Sequence, residues 1–341
     1  MTNPIIHIDH LEKTFKVYKD NKGYFGALRN LFNRQFDIVR AVDKISFDIQ
    51  QGEFVGYIGP NGAGKSTTIK MLTGLLVPTS GAVTVNGFIP WKQRKTYVKE
   101  IGVVFGQRTN LWWDLPFRDS LDLIQKIYEI PDKKFKKNLG LFRAILEMDS
   151  FMNTPVRSLS LGQRMRADLC AALIHDPLLV FLDEPTIGLD VVAKEKVREF
   201  LKFINQEKQT TLLLTTHDTS DISKLCERVM IIDHGKILFD GLLNDLIQEF
   251  GGERQLVVEF DEAYPNPVLE HAAIIEHQKT KVVYQFERQT TSASTLIAKL
   301  SMQYRIRDLE IRDQPIEDTI RKIYEDQLLY NQIDDKKNSA P

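Results

Sequence analysis

Cysteine is nearly absent from this chain: of 341 residues only Cys170 and Cys226 carry a thiol. Both lie in helical-looking stretches without metal-ligand spacing, so buried free thiols are expected. Charge of one sign is also missing. Lys and Arg number 45 against 46 Asp and Glu, a net charge of -1, which speaks against disorder and against a global nucleic-acid-binding surface. No apolar run approaches the ~18 to 20 residues that span a bilayer. The N-terminal MTNPIIHIDH has neither the basic nor the apolar region of a signal peptide. The chain is therefore expected in the cytoplasm, reaching a membrane only through a partner.

What is present is ordinary globular material, 43% hydrophobic and 27% charged, long enough for about two domains at ~150 residues each. Strand-like EFVGYIG, AVTVNG, PLLVFLD and TTLLLTTH alternate with helical patterns, the signature of an α/β core with a largely parallel sheet. Asn86-Gly87 at the end of AVTV is instead a hairpin signal, so an antiparallel β piece accompanies that core. Leu121, Ile124 and Tyr128, then Phe135, Leu139, Phe142 and Leu146, recur at spacings of three or four, which predicts a helical insertion with one buried face. After Gly251-Gly252, read as a flexible joint, QLVVEF, KVVYQF, TLIAKL and YRIRDLEI predict a small α+β domain with a last helix from Ile316. NQIDDKKNSAP is a polar tail.

GPNGAGKST, Gly59 to Thr67, follows the strand FVGYI and opens the helical STTIKMLTGLL, the context a P-loop requires. Gly59, Asn61, Gly62 and Gly64 let the backbone wrap phosphates, and Lys65, Ser66 and Thr67 open the helix behind them. Lys65 neutralises the β/γ-phosphates, Ser66 offers its hydroxyl to Mg2+, and the helix N-terminus adds a favourable dipole. LLVFLDEP ends an apolar strand on Asp183 and Glu184, a costly place for bare charge. In a phosphate site Asp183 can orient Mg2+ and Glu184 can polarise an attacking water.

Four further motifs then point, together with these, to one family. LSLGQ, Leu159 to Gln163, resembles the LSGGQ signature of ATP-binding-cassette (ABC) ATPases. Gln107 in VVFGQ resembles the Q-loop, Gly188-Leu189-Asp190 the D-loop, and His217 in LLTTH the switch histidine. Singly each has a plainer reading, Ser160 for example being a favoured helix N-cap. The resemblance covers roughly residues 5 to 250, and no NKxD motif supports a GTPase. It implies an α/β fold with a P-loop nucleotide-binding core, an antiparallel β layer and a helical subdomain at about 113–165, plus the small C-terminal α+β domain at 255–326 and a tail at 327–341. It implies ATP and Mg2+ as cofactors, Ser66, Gln107 and Asp183 at the metal, and Glu184, Gln107 and His217 as the catalytic set. It also implies a dimer of two copies around two ATP molecules, in which Ser160 and Gly162 of one copy face the P-loop of the other, and it counts Gln163 and Asp190 among the nucleotide-binding residues. Phe15 in EKTF fits the aromatic that stacks on adenine, with Tyr18 as its rival. Leu161 departs from the family's usual glycine, which puts the strength of the signature contact in doubt.

One cassette per chain, with no long coiled coil, disfavours the soluble branches of the family. GQRTNLWWDLP, LSLGQRMRADL and DEPTIGLDVVAK look like the exporter-type motors encoded apart from six-span permeases. The implied function is an ATPase motor subunit on the cytoplasmic face of the cell membrane, with separate permease subunits contacted around Leu111, Trp112, Trp113 and Leu115. The alternative is an ATP-gated clamp on a cytosolic partner. The tryptophans could instead join two subdomains of one chain. A basic segment, Lys16 to Arg40, carries Tyr24, Leu28, Leu31 and Gln35 or Phe36 on one helical face with Phe25 and Phe32 beside them, and predicts an amphipathic helix, packed on the cassette or docked on permease or lipid. The C-terminal domain is read as a dimer contact, a regulator or a stabilising β addition.

Overall fold

A computed structural model describes residues 3–18, 36–106, 108–287 and 290–325. The chain divides into two units, Met1–Asp240 and Gly241–Pro341.

The first unit carries two sheets. One is antiparallel in the order β2-β1-β4, with β1 Ile6–Tyr18, β2 Phe36–Ile49 and β4 Ser80–Val85. The other has six strands in the order β5-β6-β7-β3-β8-β9: β5 Ile101–Phe105, β6 Leu179–Asp183, β7 Thr211–Thr215, β3 Phe54–Ile58, β8 Arg228–Asp233 and β9 Lys236–Leu242. The ladders joining β5 to β6, β6 to β7, β7 to β3 and β3 to β8 are all parallel. The four central strands are apolar nearly throughout, as expected of a sheet covered on both faces. Ile6, Ile8 and Leu11 of the antiparallel sheet, Tyr57 of β3 and Ile69 and Leu72 of the helix Lys65–Leu72 share one buried core. Each such side chain stabilises the fold by roughly 1.5 to 3 kcal/mol.

Asn86-Gly87 turns with both φ values positive, 48° and 77°, but the returning chain pairs only once, Val85 with Phe88. The expected hairpin is therefore a single bridge, and β4 finds its ladder partner in β1 instead. The hairpin that the sequence reading missed joins β8 to β9 at His234-Gly235, where φ is 46° and 77°. The helical stretch resolves into Phe117–Ile127 and Asp132–Ile145. Leu121, Ile124, Phe135, Phe142 and Leu146 are buried, while Tyr128 and Leu139 are half-buried.

The basic segment departs from its expected form. Lys16 to Tyr18 complete β1 and Phe36 to Arg40 begin β2, paired as Lys16 with Ile38, Tyr18 with Phe36 and Thr14 with Arg40. Phe36 is thus a strand residue where a helix was expected. Val17, Ile38 and Val39 favour extended backbone, and the ladder supplies partners that an isolated helix end lacks. Tyr24, Phe25, Leu28, Leu31, Phe32 and Gln35 fall at 19–35, outside the described residues.

The second unit contains an antiparallel sheet in the order β11-β12-β10-β13, from β10 Glu253–Phe260, β11 Ala273–Gln278, β12 Lys281–Glu287 and β13 Ile306–Asp313. Leu256 and Val258 of β10 pair with Tyr284 and Val282 of β12, and Leu296 and Leu300 of the helix Ala293–Gln303 join their core. Gly251 ends the preceding helix, its N–H donating to Ile247 O at 3.0 Å. A further helix occupies 316–325.

Candidate ATP-binding and hydrolysis site

The parallel strands bring four separate sequence motifs to one edge. Gly59 follows the end of β3, Gly106 the end of β5, Glu184 the end of β6, and His217 lies two residues past β7. Carboxyl ends of parallel strands are where α/β sheets bind ligands. A cleft of about 810 Å3 opens there, lined by Asn61, Gly62, Gly64, Lys65, Ser66 and Thr67 on one side and by Gly106, Asp183, Glu184 and His217 on the other.

The P-loop helix Lys65–Leu72 starts from Gly64, whose φ of 110° an L side chain would rarely adopt. A Cβ there would also stand 2.3 Å from Ala41 O. Among the described residues no side chain caps this helix, so the N–H groups of its first turn are left to an anion from the cleft. Lys65 is buried, with Nζ donating to Gly59 O at 2.5 Å and Pro60 O at 3.0 Å, which holds the ammonium over the loop. Burial pushes its pKa down, opposed by the carboxylates of Glu184 and Asp183.

Ser66 Oγ and Asp183 Oδ2 stand 3.4 Å apart, and Thr215 Oγ1 donates to Asp183 Oδ1 at 2.5 Å. Thr215 pairs with Asp183 in the β6–β7 register, so its hydroxyl fixes one carboxylate oxygen and leaves the other facing Ser66. Two hard oxygen donors beside a phosphate cradle suit Mg2+, which keeps most of its remaining positions for water and phosphate.

Glu184 occupies the left-handed region with φ 57°. Its N–H donates to Thr215 O at 2.9 Å, which holds this uncommon conformation. His217 Nδ1 lies 2.7 Å from Glu184 Oε1. Against a carboxylate, which only accepts, the ring must donate from Nδ1. Burial raises the Glu184 pKa, against the lowering effect of His217 and Lys65, which strengthens it as a base.

Behind this pair lies a buried network. Asp221 accepts from Thr186 Oγ1, from Thr216 Oγ1 at 3.3 Å and from Arg198 Nε at 2.6 Å. It ties the segment after Glu184 to the segment before His217.

Other expected site residues lie elsewhere. Ser160, Gly162, Gln163 and Asp190 do not line the cleft of their own chain among the described residues. Ser160 caps the helix Leu161–Leu173 in a reciprocal box, Gln163 N donating to Ser160 Oγ at 3.2 Å and Ser160 N to Gln163 Oε1 at 2.9 Å. Asp190 caps the helix Val191–Lys208 through Ala193 N at 2.8 Å. Phe15 sits in β1 opposite Val39, 40% exposed, with Lys13 Nζ 5.2 Å from its ring centre. Gln107 lies outside the described residues. Trp112 and Trp113 are 40% and 48% exposed, Leu111 is buried and Leu115 half-buried. Leu111 is therefore core and offers no groove lining, because its apolar side chain gains more from the interior than from solvent.

Three residues escaped the sequence reading. Thr215 is a buried threonine ending an apolar strand, a signal readable only once β6 and β7 are known to be neighbours. Arg108 lines the cleft as an additional cation. Asp168 sits inside the signature helix, and a lone acid in RMRADLCAAL was the available clue.

Comparison with known proteins gives the family of the chain. Residues 42–187 match the ABC transporter family. The ABC transporter ATP-binding protein NatA of Bacillus subtilis (strain 168) is 34% identical over 217 residues, 64% of this chain and 88% of that protein. The Nod factor export ATP-binding protein I of Rhizobium sp. (strain N33) is 35% identical over 232 residues, 65% and 76% of the two chains. Among solved structures, the dimeric ATP-binding cassette MJ0796, in a post-hydrolysis state bound to ADP and Pi, superposes with a TM-score of 0.58 at 26% identity, covering 70% of this chain and 98% of the other. The chain belongs to the ABC transporter family. It is an ATP-binding and ATP-hydrolysing motor subunit.

Proposed function

We propose that this chain is the motor of a membrane exporter, closing as a dimer on two Mg-ATP and driving separate permease subunits from the cytoplasmic face of the membrane. The observation that carries the reading is the meeting of Lys65, Ser66, Asp183, Glu184 and His217 in one cleft whose helix N-terminus is left uncapped. Lys65 neutralises phosphate charge, Ser66 and Asp183 hold Mg2+, and Glu184 takes the proton of the attacking water while His217 keeps its carboxylate aimed. Bound Mg2+ would supply charge neutralisation at the phosphates. Gln107 is assigned as the sensor of the γ-phosphate.

Ser160, Gly162, Gln163 and Asp190, which stay outside the cleft of their own chain, are assigned to the nucleotide of a second copy. The dimeric MJ0796 cassette supports that arrangement. Phe15 is assigned to adenine, since its ring is exposed and stacking is worth ~1 to 3 kcal/mol by analogy with bases on aromatics. The export direction rests on relatives named for Nod factor export, linearmycin resistance and multidrug transport. No helix among the described residues is long and apolar enough to cross a membrane, so the permease is assigned to other chains, met through Trp112 and Trp113. Rigid aromatics left exposed are common interface anchors.

The domains are assigned as the cassette at 1–250, with its 113–165 helical part, and the small domain at 255–326. Purifying the tagged full chain from detergent-solubilised membranes and identifying its companions tests the reading. Multi-span proteins should accompany it. Recovery with cytosolic proteins alone would favour an ATP-gated clamp.

A further inference from the structure

We propose that Asp168 is a positioning residue for hydrolysis: from inside the signature helix it clamps the far end of the loop that carries the γ-phosphate sensor. The inference rests on the assignment of Gln107 as that sensor. The loop is held at both ends. At its start, Gly106 N donates to Asp183 O at 2.7 Å, and a Cβ on Gly106 would stand 2.0 Å from Glu184 O. This end is pressed against the strand that bears the catalytic carboxylates, closer than any side chain would allow.

At the other end, a single oxygen of Asp168 collects the chain. Thr109 Oγ1 donates to Asp168 Oδ1 at 2.8 Å, and Asn110 N donates to the same oxygen at 3.0 Å. Leu111 N in turn donates to Thr109 Oγ1 at 3.1 Å. Arg108 N also donates to Phe105 O at 3.0 Å, so the chain is tied on both sides of position 107 and a shift of the signature helix reaches it within two residues.

The location of Asp168 argues against a merely helical task. It is 5% exposed, among Met165, Ala167, Leu169 and Cys170 of the helix Leu161–Leu173, where alanine or leucine would serve the helix better and carry no desolvation cost. Burial pushes its carboxyl up to about 6, against the lowering effect of its two hydrogen bonds and of Arg164. Arg164, the nearby countercharge, has its guanidinium 5.1 Å from the ring centre of exposed Trp113, and its Nε is buried without a partner among the described residues. A cavity of about 340 Å3, lined by Arg108, Thr109, Leu161, Arg164 and Asp168, lies beside the clamp. One acid therefore stands where the signature helix, the sensor loop and the tryptophan surface converge.

The test uses the full chain with Asp168→Ala, Asp168→Asn and the gentler Thr109→Val. Asparagine keeps an acceptor oxygen at the same place, and valine deletes only the Thr109 hydroxyl. In the nucleotide-free protein, amide exchange at Asn110 and Leu111 should accelerate at least ~10-fold in Asp168→Ala and remain slow in Asp168→Asn. With Mg-ATP, kcat per bound nucleotide should fall at least ~10-fold in Asp168→Ala while KM stays within about 3-fold, with Asp168→Asn largely restoring it and Thr109→Val intermediate. Unchanged exchange at Asn110 and Leu111 in Asp168→Ala overturns the clamp, with or without any ATPase activity. If Asp168→Ala does not fold, unchanged exchange in Thr109→Val has the same force. Gln107→Ala separates the two readings. A slow Gln107→Ala beside a normal Asp168→Ala sinks this inference, whereas a fully active Gln107→Ala removes the sensor assignment beneath it.

Discussion

His217 and Glu184 are joined through one hydrogen bond, Nδ1 to Oε1 at 2.7 Å, which links the ends of the neighbouring strands β7 and β6 on one side of the cleft. The bond leaves Glu184 Oε2 for water and fixes a carboxylate whose backbone already holds an uncommon φ of 57°. Glu184→Gln should retain ATP binding, since Lys65 and the loop are untouched, and hydrolyse at least ~100-fold more slowly, because an amide cannot take the proton. Equilibrium binding and steady-state turnover measured side by side check this. Turnover close to wild type would remove Glu184 as the base.

Leu161 leans on the D-loop: its Cδ2 lies 2.9 Å from where a Cβ on Gly188 would stand, and Gly188 has φ 71°. Gly188→Ala should therefore displace Leu161 and strain the backbone, weakening ATP-driven dimerisation by roughly 10-fold, about 1.4 kcal/mol and within reach of the combined clash and strain. Leu161→Gly should also alter dimerisation while leaving monomer ATP affinity unchanged. Sedimentation of the Glu184→Gln background with and without ATP reads both. A change confined to monomer affinity would count against the two-copy site.

The paired tryptophans predict a separation of effects. Trp112→Ala and Trp113→Ala should keep the fold and the basal ATPase rate, since both rings are about half exposed. Trp113→Ala additionally loses its stack on Arg164, worth roughly 0.5 to 1 kcal/mol at an exposed site. Co-purification with permease should drop in at least one of the two. If each variant keeps its permease, the tryptophans serve only their own chain.

Asp168 also predicts a pH dependence. An acid whose folded pKa is raised binds its proton more tightly folded than unfolded, so its contribution is greatest at low pH and fades as pH rises from ~4 to about 6. Above that window the buried charge costs on the order of 3 kcal/mol relative to acid conditions. Asp168→Asn should accordingly gain stability over wild type as pH rises through 4 to 6, then hold a constant margin. Chemical unfolding at stepped pH measures it, and parallel curves for the two proteins would refute the burial cost.

Much of this was legible in the residues. GPNGAGKST and LLVFLDEP have local causes, a glycine turn before a helix and an apolar strand ending in acid, and the structure places both in one cleft. The strands ending in Glu184 and His217 were readable one at a time, but their adjacency was not, because parallel register comes from crossovers far apart in sequence. Thr215 and Asp168 were missed for that reason: each is defined by a partner more than thirty positions away. The Lys16–Arg40 reading failed at its ends because a helical period in aromatics was weighed without the β-branched residues that let β1 and β2 run on together.

Both thiols of the chain are sealed. Cys170 and Cys226 are buried, and burial drives each pKa far above the ordinary thiol range, so neither offers a thiolate to solvent. The molecule is therefore a silent background for maleimide chemistry. A single cysteine introduced at an exposed position such as Val192 would carry a spectroscopic label alone, and the approach and parting of two copies through an ATP cycle could be followed without first stripping the native sulfurs.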